Sequence, residues 1–235
     1  MLDRRKLPKT DAVIRIDAIV EACRGKRVLN IGMGGWVDDA GKGELVLTQA
    51  ALKDGVHYRV SRVAAELTGT DILQDSCDKM ARLVPGSYVQ ADLTSPDFAS
   101  HFDQKFDVVV FAEVLEHLDD FRSALANIRS VLAPRGQMVL TTANAYSADR
   151  IAKMFLNYEA VHEEHTAYFS YLTILRLLEI NGWNMERFDF HIERPARNCK
   201  RSRKVLFHAM RGLTRLMPQF GEGIFVIARP AGPAI

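Results

Sequence analysis

The 235-residue chain has little of what would mark a specialised class. Its three cysteines, Cys23, Cys77 and Cys199, are too few and too scattered for a disulfide framework or a cysteine-based zinc site. Long apolar runs are missing: none approaches the ~18 residues needed to cross a bilayer. The basic start, Met1–Lys9, has no apolar stretch behind it of the kind a secretory signal needs. A cytoplasmic, reducing location is therefore expected. With 8 Pro and 15 Gly, collagen-like and low-complexity readings fall away as well. An excess of one charge is also absent, since 31 Lys and Arg face 29 Asp and Glu.

That balance hides an uneven distribution. The segment from Arg194 to Gly221 holds eight basic residues and no acid, which leaves the rest of the chain at −6. The remaining composition, 48% hydrophobic and 26% charged, is that of a globular protein with ample material for a core. Short apolar runs alternate with helical periodicity. A helix is expected over Asp11–Cys23, a strand at Arg27–Ile31, a helical turn at Ser61–Leu67, and strands at Thr68–Ile72 and Ser87–Ala91. A helix over Asp75–Leu83 falls between the last two. Phe106–Ala112 is β-branched and apolar on both faces, as a central parallel strand should be. Asp119 or Asp120 caps a helix with Phe121, Leu125, Ile128, Val131 and Leu132 as its buried stripe. A strand at Gln137–Thr142 follows, then a helix over Ser170–Ile180 with Leu172, Leu175 and Leu178 on one side, and strands near Met185–Ile192 and Ile224–Ala228. The pattern predicts an α/β, Rossmann-like single domain over 1–235: a seven-stranded, mostly parallel sheet with helices on both faces.

In such a sheet, ligands gather at the carboxyl ends of the strands. Those ends are Asn30–Gly35, Asp71, Asp92, Ala112–Glu113 and Thr142–Tyr146. The first is a glycine turn that lets a ligand approach the backbone. Asp71 could accept a ribose hydroxyl pair, and Asp92 an amino group. Taken singly, such a glycine turn or strand-end acid is more often plain turn chemistry.

Their order is more specific. Val28-Leu-Asn-Ile-Gly-Met-Gly-Gly35, Leu67-Thr-Gly-Thr-Asp-Ile72, Tyr88-Val-Gln-Ala-Asp-Leu93 and Phe106-Asp-Val-Val-Val-Phe-Ala-Glu-Val-Leu-Glu-His-Leu118 follow one another. In this the chain resembles the class I S-adenosylmethionine-dependent methyltransferases, in the subgroup with a V-L-E-H-L signature. Leu132–Leu140 and His165-Thr-Ala-Tyr-Phe-Ser170 extend the likeness. It implies S-adenosyl-L-methionine as donor and S-adenosyl-L-homocysteine as product. It also implies Asn30, Gly32, Met33, Gly34, Gly35, Asp71, Ile72, Asp92, Leu93, Ala112, Glu113 and His117 as donor-binding positions. The chain departs from the pattern in three ways. Asn30 stands for the usual acid, Trp36 replaces the third glycine, and an insertion of about 36–64 precedes Asp71.

Trp36, Asp38, Asp39, His57, Tyr58 and Arg59 in that insertion either bind the acceptor or form a solvated loop. His57-Tyr-Arg59 would suit a phosphate or carboxylate. Tyr146 and His162 are further acceptor candidates. If the acceptor is a hydroxyl, a histidine is the natural base: His165, or His117, which could equally pack on the donor's edge. His162-Glu-Glu-His165 has metal-like composition, but with no further matched ligands no metal site is expected.

The basic helical segment, about 194–221, includes an amphipathic helix at 204–217. Val205, Leu206, Ala209, Leu213, Leu216 and Met217 lie on one face and Lys204, His208, Arg211 and Arg215 on the other. It either packs on the core, closes over an anionic substrate, or contacts an anionic membrane peripherally through 200–217. The expected activity is O-methylation of a small-molecule, glycan or lipid-linked acceptor. An RNA methyltransferase and a non-catalytic donor-binding module are the alternatives, nucleic acid being the weaker because aromatics do not interleave the basic residues.

Overall fold

The computed structural model describes residues 6–34, 53–194 and 201–232. Its strands are β1 Ala12–Ile14, β2 Arg27–Ile31, β3 Glu66–Asp71, β4 Ser87–Gln90, β5 Phe106–Ala112, β6 Leu132–Ala143, β7 Trp183–Ile192 and β8 Gly223–Pro230. They form one eight-stranded sheet in the order β1-β7-β8-β6-β5-β2-β3-β4. The helices are α1 Arg15–Cys23, α2 Val56–Ser61, α3 Gln74–Leu83, α4 Phe121–Val131, α5 Ala148–Met154, α6 Tyr171–Ile180 and α7 Arg201–Leu216.

The α/β alternation stands, but the sheet has eight strands where seven were expected. The addition is β1. Val13 and Ile14 fit the apolar rhythm of the helix behind them, yet they are β-branched and pair in parallel with His191 and Ile192 of β7, so the helix begins at Arg15. The helical turn expected at Ser61–Leu67 also moves, to α2. Gly25 N–H donates to Val63 O and Ala65 N–H to Lys26 O, and these bonds draw the chain out toward β3.

Two compact units divide the chain. One comprises the described residues of Ile16–Ala112 and Asp120–Val139, here the β2–β5 unit. Its β2 pairs in parallel with both β5 and β3, and β3 with β4. Val28, Leu29 and Val108 to Phe111 are almost fully buried, as a strand covered on both faces requires. Asp120 caps α4 by accepting Ser123 N–H at 3.0 Å. Leu125, Ile128, Val131 and Leu132 are buried as expected, whereas Phe121 is only partly so.

The other unit, here the β7–β8 unit, comprises the described residues of Met1–Arg15, Glu113–Asp119 and Leu140–Ile235. Its β7 and β8 run antiparallel from Trp183↔Pro230 to His191↔Gly223. Ser170 caps α6 in a reciprocal pair with Thr173, and Gly182 follows with φ +71°. Ile174 and Leu178 are the buried positions of α6 and Leu172 is exposed, so the buried stripe is rotated from the one expected. On α7 the packed positions are Phe207, Met210, Leu213 and the fully buried Thr214, whose hydroxyl is satisfied by Met210 O at 2.8 Å. Val205, Ala209, Leu216 and Met217, expected on the packed face, are exposed.

Candidate active site

In the β2–β5 unit the strand ends are built by close backbone approach. After β2, Gly32 turns at φ +67° and donates its N–H to Thr70 O at 2.9 Å. Gly34 then sits so near β3 that a Cβ would strike Ser76 and come within 2.9 Å of Asp71 Oδ2. Only glycine fits there. Asp71 is buried, and it accepts Gly34 N–H at 2.9 Å and Leu73 N–H at 3.1 Å. Beside it, Ile72 and Leu73 expose their side chains, an apolar surface next to an acid. Asp92 is exposed and spends Oδ1 on the N–H and O–H of Thr94 at 2.8 and 2.7 Å, with Leu93 buried behind it. This set of donors, acid and exposed apolar surface fits a nucleoside.

Other donor-binding candidates land elsewhere. Met33 packs into a core cluster with Cys77, Met80 and Val84, so its side chain serves the core. Asn30 is buried with Nδ2 at 3.0 Å from His57 Nδ1. Ala112, at the end of β5, is half-buried. Gly35, Trp36, Asp38 and Asp39 lie outside the described residues.

The acceptor trio expected in the insertion is spent on the chain itself. His57 is buried and its Nε2 lies 3.0 Å from the Tyr88 hydroxyl. Tyr58 packs on the Met33 cluster, and Arg59 pairs with Asp17 of α1 at 2.9 Å. Successive residues of one helix point in different directions, so the three cannot converge on one ligand as their adjacency suggested.

The β7–β8 unit gathers the titratable groups. Glu113 follows β5 with φ +53°, a left-handed conformation that costs a non-glycine residue free energy, and its N–H is held by Thr141 O at 2.9 Å. Its Oε1 lies 3.5 Å from Nε2 of the buried His191. The 3-10 turn Leu115–His117 then buries Glu116 completely. Thr142 donates its hydroxyl to Glu116 Oε2 at 2.9 Å, while Oε1 is buried without a partner. Burial and the neighbouring Glu113 carboxylate raise the Glu116 carboxyl. His191 and Arg15, against the opposing burial penalty, hold Glu113 low.

His117 and His165 adjoin Glu116, and His162 packs on both. Ring centroids are 4.6 Å apart for His117 and His165, 5.3 Å for His162 and His165, and 6.3 Å for His117 and His162. The backbone ties them together: Thr166 donates its N–H and O–H to Glu116 O at 2.8 and 3.1 Å. His165 is half-buried with Nδ1 unpartnered, and burial, helped by His117 and His162, lowers its proton affinity. His162 and Tyr146 are exposed. Arg150 stacks its guanidinium 4.8 Å above the Tyr168 ring, which packs 5.5 Å from His165. Ligand atoms of Glu116, His117 and His165 all lie within 4.8 Å of one another, so the three could hold a divalent cation.

Sequence reasoning found His117, His162 and His165 but missed Glu116, Arg150, Tyr168 and His191. Glu116 was legible as the one acid inside V-L-E-H-L. Nothing in the spacing of the other three announces them.

The comparisons with known proteins give the family and the fold. A family model described as a methyltransferase domain matches residues 23–187, and the chain belongs to that family. A ubiquinone biosynthesis O-methyltransferase from Proteus mirabilis is 29% identical over 126 residues, 51% of this chain and 43% of that protein. One from Thiobacillus denitrificans is 32% identical over 136 residues, 56% and 48% respectively. The chain thus spans about half the length of the curated relatives it matches. Among solved structures, an S-adenosylmethionine-dependent methyltransferase from Mesorhizobium loti aligns over 91% of this chain and 95% of its own, with 18% identity and a TM-score of 0.55. Magnesium protoporphyrin IX methyltransferase from Synechocystis, solved with S-adenosylhomocysteine, covers 92% and 82% with 13% identity and a TM-score of 0.52. At such identities these structures speak for the fold.

Proposed function

We propose that the chain transfers a methyl group from S-adenosylmethionine to a hydroxyl of a small-molecule acceptor. The observation that carries the oxygen preference is the imidazole cluster at His117, His162 and His165 on a methyltransferase-family chain. The donor's methyl is already activated as a sulfonium, so the protein has alignment and one proton to manage. Gly32, Gly34, Asp71, Ile72 and Asp92 bind the donor, Asp71 accepting the ribose hydroxyls. His165 is the base. Its lowered proton affinity keeps it neutral at pH 7, ready to take the acceptor's proton as the new C–O bond forms and the C–S bond breaks. Glu116 and Thr166 hold the cluster in place, and His117 and Tyr146 line the acceptor side.

The relatives named as ubiquinone O-methyltransferases favour an acceptor with an apolar tail. So does the surface of the β7–β8 unit, where Met154, Phe155, Leu156 and Tyr158 are exposed in one run, and Val205 and Leu216 emerge among Lys204, Arg211 and Arg215 of α7. Peripheral contact with anionic lipid through 201–217 follows from the same pairing of charge and apolar surface.

A mass-resolved methyl-transfer assay against pooled phenols, polyols and lipid-linked acceptors tests the function. Product is expected, its rate rising with pH through a group titrating below the ordinary histidine value of ~6.5. H165Q should lose that inflection and about a hundredfold or more in kcat. No product from any pool, or an H165Q enzyme at full rate, overturns the reading. A second reading rests on the ligand atoms of Glu116, His117 and His165: a bound divalent cation would polarise the acceptor oxygen in place of a base. Activity abolished by a chelator and restored by the cation would mark it.

A further inference from the structure

Asn30 occupies the position at which the first motif of the resemblance carries an acid, and it lies buried near the end of β2. Its Nδ2 is 3.0 Å from His57 Nδ1, and His57 Nε2 is 3.0 Å from the Tyr88 hydroxyl. Tyr88 gives its own proton to Val84 O at 2.7 Å. Chemistry then fixes every hydrogen in this chain of contacts. The phenol oxygen, having donated to a carbonyl, accepts from His57 Nε2–H. Nδ1 of the neutral ring remains an acceptor, and Asn30 fills it with an N–H.

A carboxylate at position 30 would instead confront a lone pair at 3.0 Å, or would demand a buried imidazolium. The identities of residues 30 and 57 are therefore one choice. Burial lowers His57 to about 4, so the ring is neutral at physiological pH. Gly69 of β3 makes the room: a Cβ there would come within 2.9 Å of His57 Cε1 and 3.1 Å of the Tyr88 ring, and would strike Met33.

We propose that His57 is a positioning residue for the methyl donor: by engaging Asn30 Nδ2 it turns the carboxamide so that Oδ1, a neutral acceptor in place of a carboxylate, meets the donor's ammonium group. This rests on the reading that Asn30 belongs to the donor site. It makes α2 a part of the donor site's construction, although sequence alone placed His57 with the acceptor. It also answers what the missing acid costs. The charge is gone, but the acceptor is held rigidly, and a fixed dipole needs no reorganisation when the ligand arrives.

The test combines nitrogen-15 NMR of the histidines with calorimetric binding of S-adenosylhomocysteine, which carries the ammonium, on the full chain and its variants. The wild-type spectrum should show His57 as the neutral Nε2–H tautomer at pH 6. H57F should weaken binding about tenfold and Y88F about threefold, the scale of one or part of one oriented hydrogen bond. N30D should weaken binding about tenfold and bring His57 into its protonated form at pH 6. The double variant N30D/H57F should bind better than N30D, because the restored carboxylate no longer faces the imidazole. A purely structural role for His57 would not produce that recovery.

An Nδ1–H tautomer, or H57F binding like wild type, overturns the proposal. If H57F does not fold, Y88F and N30D decide, and unchanged affinity in both overturns it. Unchanged affinity in every variant, with the Nε2–H tautomer intact, removes Asn30 from the donor site while leaving the methyltransferase reading standing. Absence of binding by the wild-type chain overturns that reading and this proposal together.

Discussion

The two units of the molecule treat their buried polar atoms in opposite ways. In the β2–β5 unit, Asn30, His57, Tyr88 and Asp71 are engaged with partners at 2.7–3.1 Å, and Thr70 Oγ1 is the unpartnered buried side-chain atom among the described residues. In the β7–β8 unit the unpartnered buried atoms include Glu116 Oε1, Arg150 Nε, His165 Nδ1, Tyr168 Oη and His191 Nδ1. Each such atom costs about 1–3 kcal/mol relative to a satisfied one. A fold carries that cost where the groups have work to do, and the left-handed Glu113 adds backbone strain at the same place. On the proposed function, the satisfied unit is the donor's cradle and the other keeps its polar groups for the acceptor and for proton transfer.

The sharpest way to break this contrast is at Asp71. Replacing it with Ala removes the acceptor for Gly34 N–H and Leu73 N–H as well as the proposed ribose contact. Affinity for S-adenosylhomocysteine should fall about a thousandfold, the sum of two charge-assisted hydrogen bonds. Calorimetry reads it directly, and a loss under tenfold would show that the β2–β5 unit is not the donor's cradle.

The two histidine environments differ next in their response to acid. His57 has a proton affinity lowered to about 4 by burial, against ~6.5 in an unfolded chain. Between those values the unfolded state binds more protons, so this term is fully stabilising above pH 6.5 and is lost as pH falls toward 4. It amounts to about 3 kcal/mol. Urea titrations of wild type and H57F at pH 7 and pH 4.5 should therefore converge on acidification. The same pair of titrations for H165Q should converge far less, because His165 is half-exposed and solvent screens it. Equal convergence for the two variants would erase the distinction drawn here.

Much of this was legible in the sequence, for reasons that can be named. Phe106–Ala112 announces a central strand because nothing polar interrupts its two faces except Asp107. Asp71 and Asp92 declare themselves by closing short strands. Ser170 is a cap that local chemistry alone selects, and the same chemistry narrows the cap of α4 to Asp119 or Asp120, of which the structure uses Asp120. What the sequence concealed depends on three-dimensional pairing. Three residues are too short a window to separate β1 from the helix behind it. The rotation of α6 that buries Ile174 and exposes Leu172 depends on the sheet beneath. His57 was misread because His-Tyr-Arg in a row suggests one polar cluster, while on α2 the three point to Tyr88 and Asn30, to the Met33 cluster and to Asp17. Glu116 lay in plain view inside its motif, but burial turns it from a surface acid into the floor of the histidine cluster.

The smallest effect follows from that misreading and sharpens it. Arg59 was an acceptor candidate because a guanidinium fork suits phosphate and carboxylate. The structure gives it Asp17 at 2.9 Å, with both side chains about a third exposed. An ion pair so placed contributes about 0.5 kcal/mol, since solvent screens it and two long side chains must be ordered to make it. R59A should therefore lower the unfolding free energy by about that much, and D17A should do the same with no further loss in the double variant. The KM for an identified acceptor should not move. A several-fold rise in KM with stability unchanged would return Arg59 to the acceptor, and with it the idea that this helix serves both ligands. An unchanged KM leaves α2 to the donor alone, with His57 as the residue through which it acts.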